Sequence, residues 1–215
     1  NDDVNSIKNK ILSDPAITSA EKWYDRGRRQ YEMNNIDKAI EYFTQATEKD
    51  SDYSGAYYER GLCNDKKGAF AVAIDDFTKA IDYNNKWEII SNLSLAYYSR
   101  ARSYHALKSG NENEEKEYLV LSLNDWNKTL ELKPNQSEAY YGRGLVYADQ
   151  NQLDKAIADF KNSYEMSATD ERKKNSILGL ARCYYMLGEV EASSEWLKLL
   201  KEDVPSDLFD EEFQK

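Results

Sequence analysis

AYYERG at residues 56–61, AYYSRA at 96–101 and AYYGRG at 139–144 are three near-copies of one string. WYDRG at 23–27 is a variant of it, and ILGLA at 177–181 is a weaker fifth copy. A second signature follows each of them. It reads DKAIEYFTQA at 37–46, AVAIDDFTKA at 71–80, LSLNDWNKTL at 121–130, LDKAIADFKN at 153–162 and EASSEWLKLL at 191–200. Self-similarity of this kind marks a chain built by stacking one supersecondary unit.

The small residues Gly27, Gly61, Ala101, Gly144 and Ala181 close the first signature. Glycine inside a helix costs about 0.5–1 kcal/mol relative to alanine, so Gly27, Gly61 and Gly144 imply a close helix–helix approach that repays it. Ala39, Ala73 and Ala156 are the small residues expected to meet those glycines across each hairpin. Phe43, Phe77, Trp126, Phe160 and Leu197 lie four residues or one turn further on, and are expected to fill the space between hairpins. Trp23, Tyr57, Tyr97 and Tyr140 are expected to do the same from the first helix. One hairpin cannot bury such faces alone, so the hairpins must stack.

These residues resemble the tetratricopeptide repeat (TPR) family, in which two antiparallel helices recur every 34 residues. Gly27 and Gly61 are 34 residues apart, and the later spacings are 40, 43 and 37. The resemblance implies an all-α, right-handed α-solenoid of about five helix hairpins. Its repeats are expected at about 20–53, 54–87, 94–136, 137–170 and 174–202. Residues 1–19 form an N-terminal cap segment, in which Val4, Ile7 and Ile11 have helical spacing. Residues 203–215 form an acidic-aromatic C-terminal tail, with Ser206 able to cap a short helix and Leu208, Phe209 and Phe213 on one face. Thr18-Ser19-Ala20-Glu21 reads as a capping box opening the first repeat. The third repeat is enlarged, by about six residues before its first helix, near Trp87 to Ile90, and by about nine in its turn, near Ser109-Gly110-Asn111.

Composition narrows the function. The chain has 215 residues, 32% of them charged, and a net charge of −10. A nucleic-acid binder needs a basic stripe, and none is present. No apolar run approaches the roughly 18 residues that span a bilayer. There is no CxxC, HExxH, glycine-rich phosphate loop or EF-hand loop, and His105 is the one histidine. No enzyme activity, metal or cofactor is therefore expected. Cys63 and Cys183 occupy one column three repeats apart, too far for a disulfide, and two unpaired thiols lean toward a reducing compartment. A removed signal peptide or lipid anchor would leave no trace in this sequence.

In the TPR family the first helix of each repeat lines a concave groove that binds peptides. Three columns share that face by their i, i+4, i+7 spacing. They carry Tyr24, Tyr58, Tyr98, Tyr141 and Leu178; then Arg28, Leu62, Arg102, Leu145 and Arg182; then Tyr31, Asp65, His105, Ala148 and Tyr185. The expected ligand is a protein or peptide segment with acidic and apolar side chains, because tyrosine and arginine dominate many binding surfaces. Packing alone can account for the tyrosines, and acidic neighbours could pair the arginines. Arg26, Arg60, Arg100 and Arg143 lie off this face and are expected to bridge hairpins or cover apolar surface. One TPR subgroup clamps the C-terminal carboxylate of chaperones with Lys, Asn and Arg. The matching positions here are Tyr24, Arg28, Glu59, Leu95 and Ser99, of which only Arg28 suits that task. Self-association through the ends, the tail or the enlarged third repeat, or service as an accessory domain of a larger machine, are the other readings.

Overall fold

The computed structural model describes residues 19–83, 90–107 and 110–203. The expected N-terminal cap helix, the insertion near Trp87 and the acidic-aromatic tail beyond Asp203 lie outside these residues. The described chain forms ten helices. They are α1 (Ala20–Glu32), α2 (Ile36–Lys49), α3 (Ser54–Lys66), α4 (Phe70–Asp82), α5 (Ile90–Ala106), α6 (Glu112–Leu132), α7 (Ser137–Asp149), α8 (Leu153–Met166), α9 (Asp170–Met186) and α10 (Val190–Asp203). The chain divides into two compact units at Ser109–Gly110. In the first, α1 pairs with α2 and α3 with α4, while α2 packs on α3 and α4 on α5. In the second, α7 pairs with α8 and α9 with α10, while α6 packs on α7 and α8 on α9. Each unit is thus a stack of antiparallel helix hairpins, the all-α repeat architecture expected from the sequence.

The hairpin turns share one device. Asn34, Gly68, Asn151 and Gly188 each follow the signature small residue by seven positions, and all four have positive φ, between 57° and 79°. Glycine and asparagine tolerate that conformation best. The next residue's N–H then reaches back to the helix, as Asn35 to the Gln30 carbonyl at 2.8 Å and Gln152 to the Tyr147 carbonyl at 2.8 Å. This Schellman closure satisfies carbonyls that the helix end would leave unpaired.

The glycines do meet a partner across the hairpin, but it is a ring and not the expected alanine. A Cβ on Gly27 would stand 2.5 Å from the Phe43 ring, and one on Gly61 would stand 2.6 Å from the Phe77 ring. Ala39, Ala73 and Ala156 are fully buried one turn earlier, where they leave room for the backbone instead. Phe160 is held from both sides, since a Cβ on either Gly144 or Gly179 would come within 2.9 Å of it. Gly142 faces Trp126 in the same way.

The arginine column ties hairpins together. Arg60 donates Nε and Nη2 to Asp76, at 3.0 and 2.7 Å, and Nη1 to Thr44 and Thr47 of the preceding hairpin, at 3.1 and 3.3 Å. Arg143 repeats this with Asp159 at 2.7 and 2.8 Å and Asn127 at 2.7 Å. Arg100 donates to Thr78 at 2.9 Å. Their guanidinium groups also lie over aromatic rings: those of Arg26, Arg60, Arg100 and Arg143 stand 4.7, 5.3, 5.6 and 5.5 Å from the ring centres of Trp23, Tyr57, Tyr97 and Tyr140. The column therefore both bridges and covers.

Two local expectations shift. Ser19 caps α1, accepting from the Lys22 N–H at 3.3 Å. Much of the length expected in the turn of the third repeat is helix: α6 has 21 residues against 14 in α8, and α5 has 17 against 13 in α3. Asn111 caps α6, and Glu112, Glu114 and Glu115 occupy its first turn, where carboxylates favour the helix dipole. In α10, Ser193 is buried and donates to the Ala181 carbonyl at 2.8 Å.

Candidate functional site

The three expected columns lie on the first helices of the repeats, so each unit carries its own candidate face. In the first unit α1, α3 and α5 present it, with α1 beside α3 and α3 beside α5. In the second α7 and α9 lie side by side.

On the first face the tyrosines are half-buried wedges. Tyr24 packs against Phe43 with ring centres 5.8 Å apart and against Tyr53 at 5.2 Å; Tyr58 packs against Phe77 at 5.8 Å. Burial raises the Tyr24 hydroxyl far above its ordinary pKa, reinforced by the negative charge of Glu59, and burial raises Tyr58 too. Leu62, Tyr98 and His105 are half-buried, as is Tyr31 beneath the Lys66 ammonium at 5.4 Å. The cations are answered by acids. Arg28 pairs with Glu32 at 3.7 Å, and Arg102 with Asp65 at 3.9 Å. Asp65 also accepts a hydrogen bond from Ser103 at 2.7 Å.

Sequence reasoning passed over Glu59 as a member of this face. It accepts from the Tyr24 hydroxyl at 3.5 Å. Burial is the largest influence on its carboxyl and raises its pKa, opposed by the charge of Arg28. The signal was available, because the column two residues before the signature small residue reads Asp25, Glu59, Ser99, Gly142 and Gly179. It passes from acidic or polar to glycine along the chain, and so separates the two faces.

On the second face a cleft of about 190 Å³ opens between α7 and α9, beside Gly179. Tyr141, Leu145 and Arg182, all expected site residues, line it together with Leu178, Gly179 and Met186, over Phe160 and Cys183. Tyr141 rests on Phe160 with ring centres 5.6 Å apart, and the Arg172 guanidinium covers its other side at 4.6 Å. Burial raises the Tyr141 hydroxyl, partly offset by Arg172. Arg172 was not singled out in the sequence. It stands in the first turn of a 17-residue helix, four residues longer than α1, α3 and α7, outside the repeating columns. Tyr185 lies beyond the cleft and is 68% exposed. Five of the large exposed apolar side chains fall in one short stretch, Leu178, Tyr185, Met186, Leu187 and Val190.

Both cysteines are free and buried. Burial pushes the Cys63 thiol up to about 12, and raises Cys183 as well, which suits small apolar packing residues. Among the described residues no group of three or more His, Cys, Asp or Glu is arranged to hold a metal ion, and no helix is long and apolar enough to cross a membrane.

Three family models described as tetratricopeptide repeat match residues 24–85, 126–158 and 147–210. DnaJ homolog subfamily C member 7 of Mus musculus is 28% identical over 200 residues, covering 83% of this chain and 38% of the relative, and the Homo sapiens protein of that name matches equally. The chain thus spans about two fifths of the length of these relatives. Among solved structures, YrrB, a TPR protein with an unusual peptide-binding site, superimposes with TM-score 0.72 at 20% identity, covering 93% of both chains. MamA from Desulfovibrio magneticus RS-1 gives 0.71 at 16% identity, covering 85% of this chain and 93% of its own. These structural likenesses concern the fold. With the recurring signatures, the stacked hairpins and the three repeat matches, the chain belongs to the tetratricopeptide repeat family.

Proposed function

We propose that the chain is a protein–protein interaction scaffold that holds a peptide or protein segment on the first-helix faces of its repeats. The observation that carries this reading is the exposed apolar stretch on and after α9, adjoining a cleft rimmed by Arg182. Large apolar side chains exposed together mark interaction surfaces. Family membership and the printed description of YrrB as peptide-binding add support. The ligand chemistry is apolar with carboxylates, and electrostatic complementarity supplies its specificity. A lone C-terminal carboxylate held on α1 and α3 fits poorly, because Glu59 stands beside Arg28 and would repel it.

Panning a phage-displayed library of random twelve-residue peptides on the full chain tests this. The expected result is an enriched acidic-apolar motif whose binding falls with salt and with Arg182→Glu. Arg28→Glu and Arg102→Glu are expected to weaken ligands of the first face. Enrichment of nothing, or of motifs indifferent to all three substitutions, would remove the reading.

A further inference from the structure

We propose that the α7/α9 cleft is a docking site for this chain's own residues 204–215, reached within the same molecule. The inference rests on reading the first-helix faces as binding faces, and adds an occupant which that reading does not require.

The cleft joins an apolar floor to one lining cation, and a second lies over the ring of Tyr141, a lining residue. Leu145, Leu178 and Met186 line it over Phe160. Arg182 stands on its rim, and Arg172 stacks on Tyr141 in its wall. Neither arginine has a carboxylate within ion-pair distance among the described residues, and the Arg172 Nε is buried without a hydrogen-bond partner. Asp149 alone among the lining residues carries a carboxylate. Ten residues of α9 separate the two arginines, a rise of about 15 Å. The site therefore asks for two carboxylates about that far apart with apolar side chains between them.

Residues 204–215 read Val-Pro-Ser-Asp-Leu-Phe-Asp-Glu-Glu-Phe-Gln-Lys. Asp207 and Glu211 bracket Leu208 and Phe209, and four extended residues span about 13–14 Å. The register agrees. α10 packs antiparallel on α9 after a three-residue turn, and its 14 residues rise about 21 Å. α10 therefore ends level with the first turns of α9. Pro205 disfavours continuing the helix, and Val204 to Ser206 can cross about 10 Å, one helix diameter. A segment running on from there passes Arg172 first, Leu178 next and Arg182 last.

The test uses the full chain, wild type and carrying Leu208→Ser with Phe209→Ser. Methyl NMR signals of Leu145, Leu178 and Met186 report on the cleft, and a fluorescein-labelled synthetic peptide of residues 204–215 is the probe. The substitutions are expected to move those signals. The peptide is expected to bind the substituted chain at least about tenfold more tightly than the wild type, a difference of one order in Kd. Adding Arg172→Glu and Arg182→Glu should abolish that binding, while Arg28→Glu should leave it intact. Unmoved signals with peptide binding indifferent to the tail substitutions would overturn the proposal, as would binding removed by Arg28→Glu. A mass that rises with concentration for the wild type alone would overturn the intramolecular arrangement and assign the segment to a second copy. Because random peptides can be captured whether or not residues 204–215 dock, failure here leaves the scaffold reading standing, and an empty panning experiment removes that reading independently.

Discussion

The face on α1, α3 and α5 and the face on α7 and α9 descend from the same repeat columns, yet they differ in chemistry. The first is charge-compensated: Arg28 has Glu32 beside it and Glu59 near, and Arg102 has Asp65. The second leaves Arg172 and Arg182 without carboxylate partners among the described residues and exposes Leu178 and Met186. One column accounts for much of the difference. Where the first unit has Glu59 and Ser99, the second has Gly142 and Gly179, and at Gly179 the missing side chain leaves the Phe160 ring of the previous hairpin in the floor of an open cleft. A shared fold thus fixes where a surface is, while a single small-or-polar choice decides what it accepts.

The largest effect should come from emptying that floor. Phe160→Ala is expected to cost about 3–5 kcal/mol, as for other buried aromatics, measured by urea denaturation. Gly144 and Gly179 stand on both sides of the ring, so little around it can collapse to refill the space. Phe77→Ala in the first unit falls in the same range. A loss under about 1 kcal/mol at Phe160 would mean that the cleft is not built on that ring.

The next test asks whether the scaffold beneath the two faces is shared. Asp76→Ala and Asp159→Ala each leave a guanidinium that is 17% or 19% exposed without its bidentate partner. Breaking a buried pair typically costs about 3–5 kcal/mol, and the partial exposure of the arginines reduces the expectation to about 2–3 kcal/mol. Asp76→Ala should cost the more of the two, because Asp76 also accepts from the buried Asn64 amide at 3.0 Å. Equal losses in denaturant unfolding would show that this extra bond adds nothing to the first unit.

A pH effect should belong to the first unit alone. Burial raises the Glu59 carboxyl above its ordinary 4.5, so the folded chain holds that proton more tightly than the unfolded chain. Its contribution to stability is fully present below the ordinary value and is lost as pH rises through the raised one. Thermal melts of wild type and Glu59→Gln should therefore run close together in acid, with the wild type falling below the variant as pH passes that window. Parallel curves throughout would place Glu59 in water. Gly142 and Gly179 give the second face no equivalent group at this column.

The smallest effects are those of the exposed cations. Arg182→Glu should change stability by less than about 0.5 kcal/mol, as surface substitutions do. Arg28→Glu should cost slightly more, because it gathers a third carboxylate beside Glu32 and Glu59. The reverse order in urea titrations would contradict the charge compensation of the first face.

Much of this architecture is legible in the residues. The AYYxRG strings announce the first helices, and the aromatic columns announce the stacking. Tyr141, Leu145 and Arg182 were expected on one surface, and they line one cleft. What escaped reading depends on contacts that no repeat column spells out. The partner of Gly27 is the Phe43 ring rather than Ala39, because a side chain one turn away can lean into the space over a glycine. Arg172 escaped because α9 begins a turn earlier than α1, α3 and α7, and its role arises only when Tyr141 of the neighbouring helix comes beneath it. Glu59 figured in the sequence only as a clamp position unsuited to a carboxylate, and its burial beside Tyr24 is set by packing that no column spells out.

Arg60, Arg100 and Arg143 also bear on how such a chain could be rearranged. Arg60 and Arg143 each hold an aspartate of their own hairpin, a bond that would travel with the hairpin if it were copied or moved. The remaining donor of each reaches a hydroxyl or amide on the hairpin before: Thr44, Thr78 and Asn127 in turn, each directly after the buried aromatic. That acceptor belongs to the neighbour, so it behaves as a compatibility key. A transplanted hairpin would carry its own Arg–Asp bond along, but it would regain the bond between hairpins only behind a partner offering Thr or Asn at that one position.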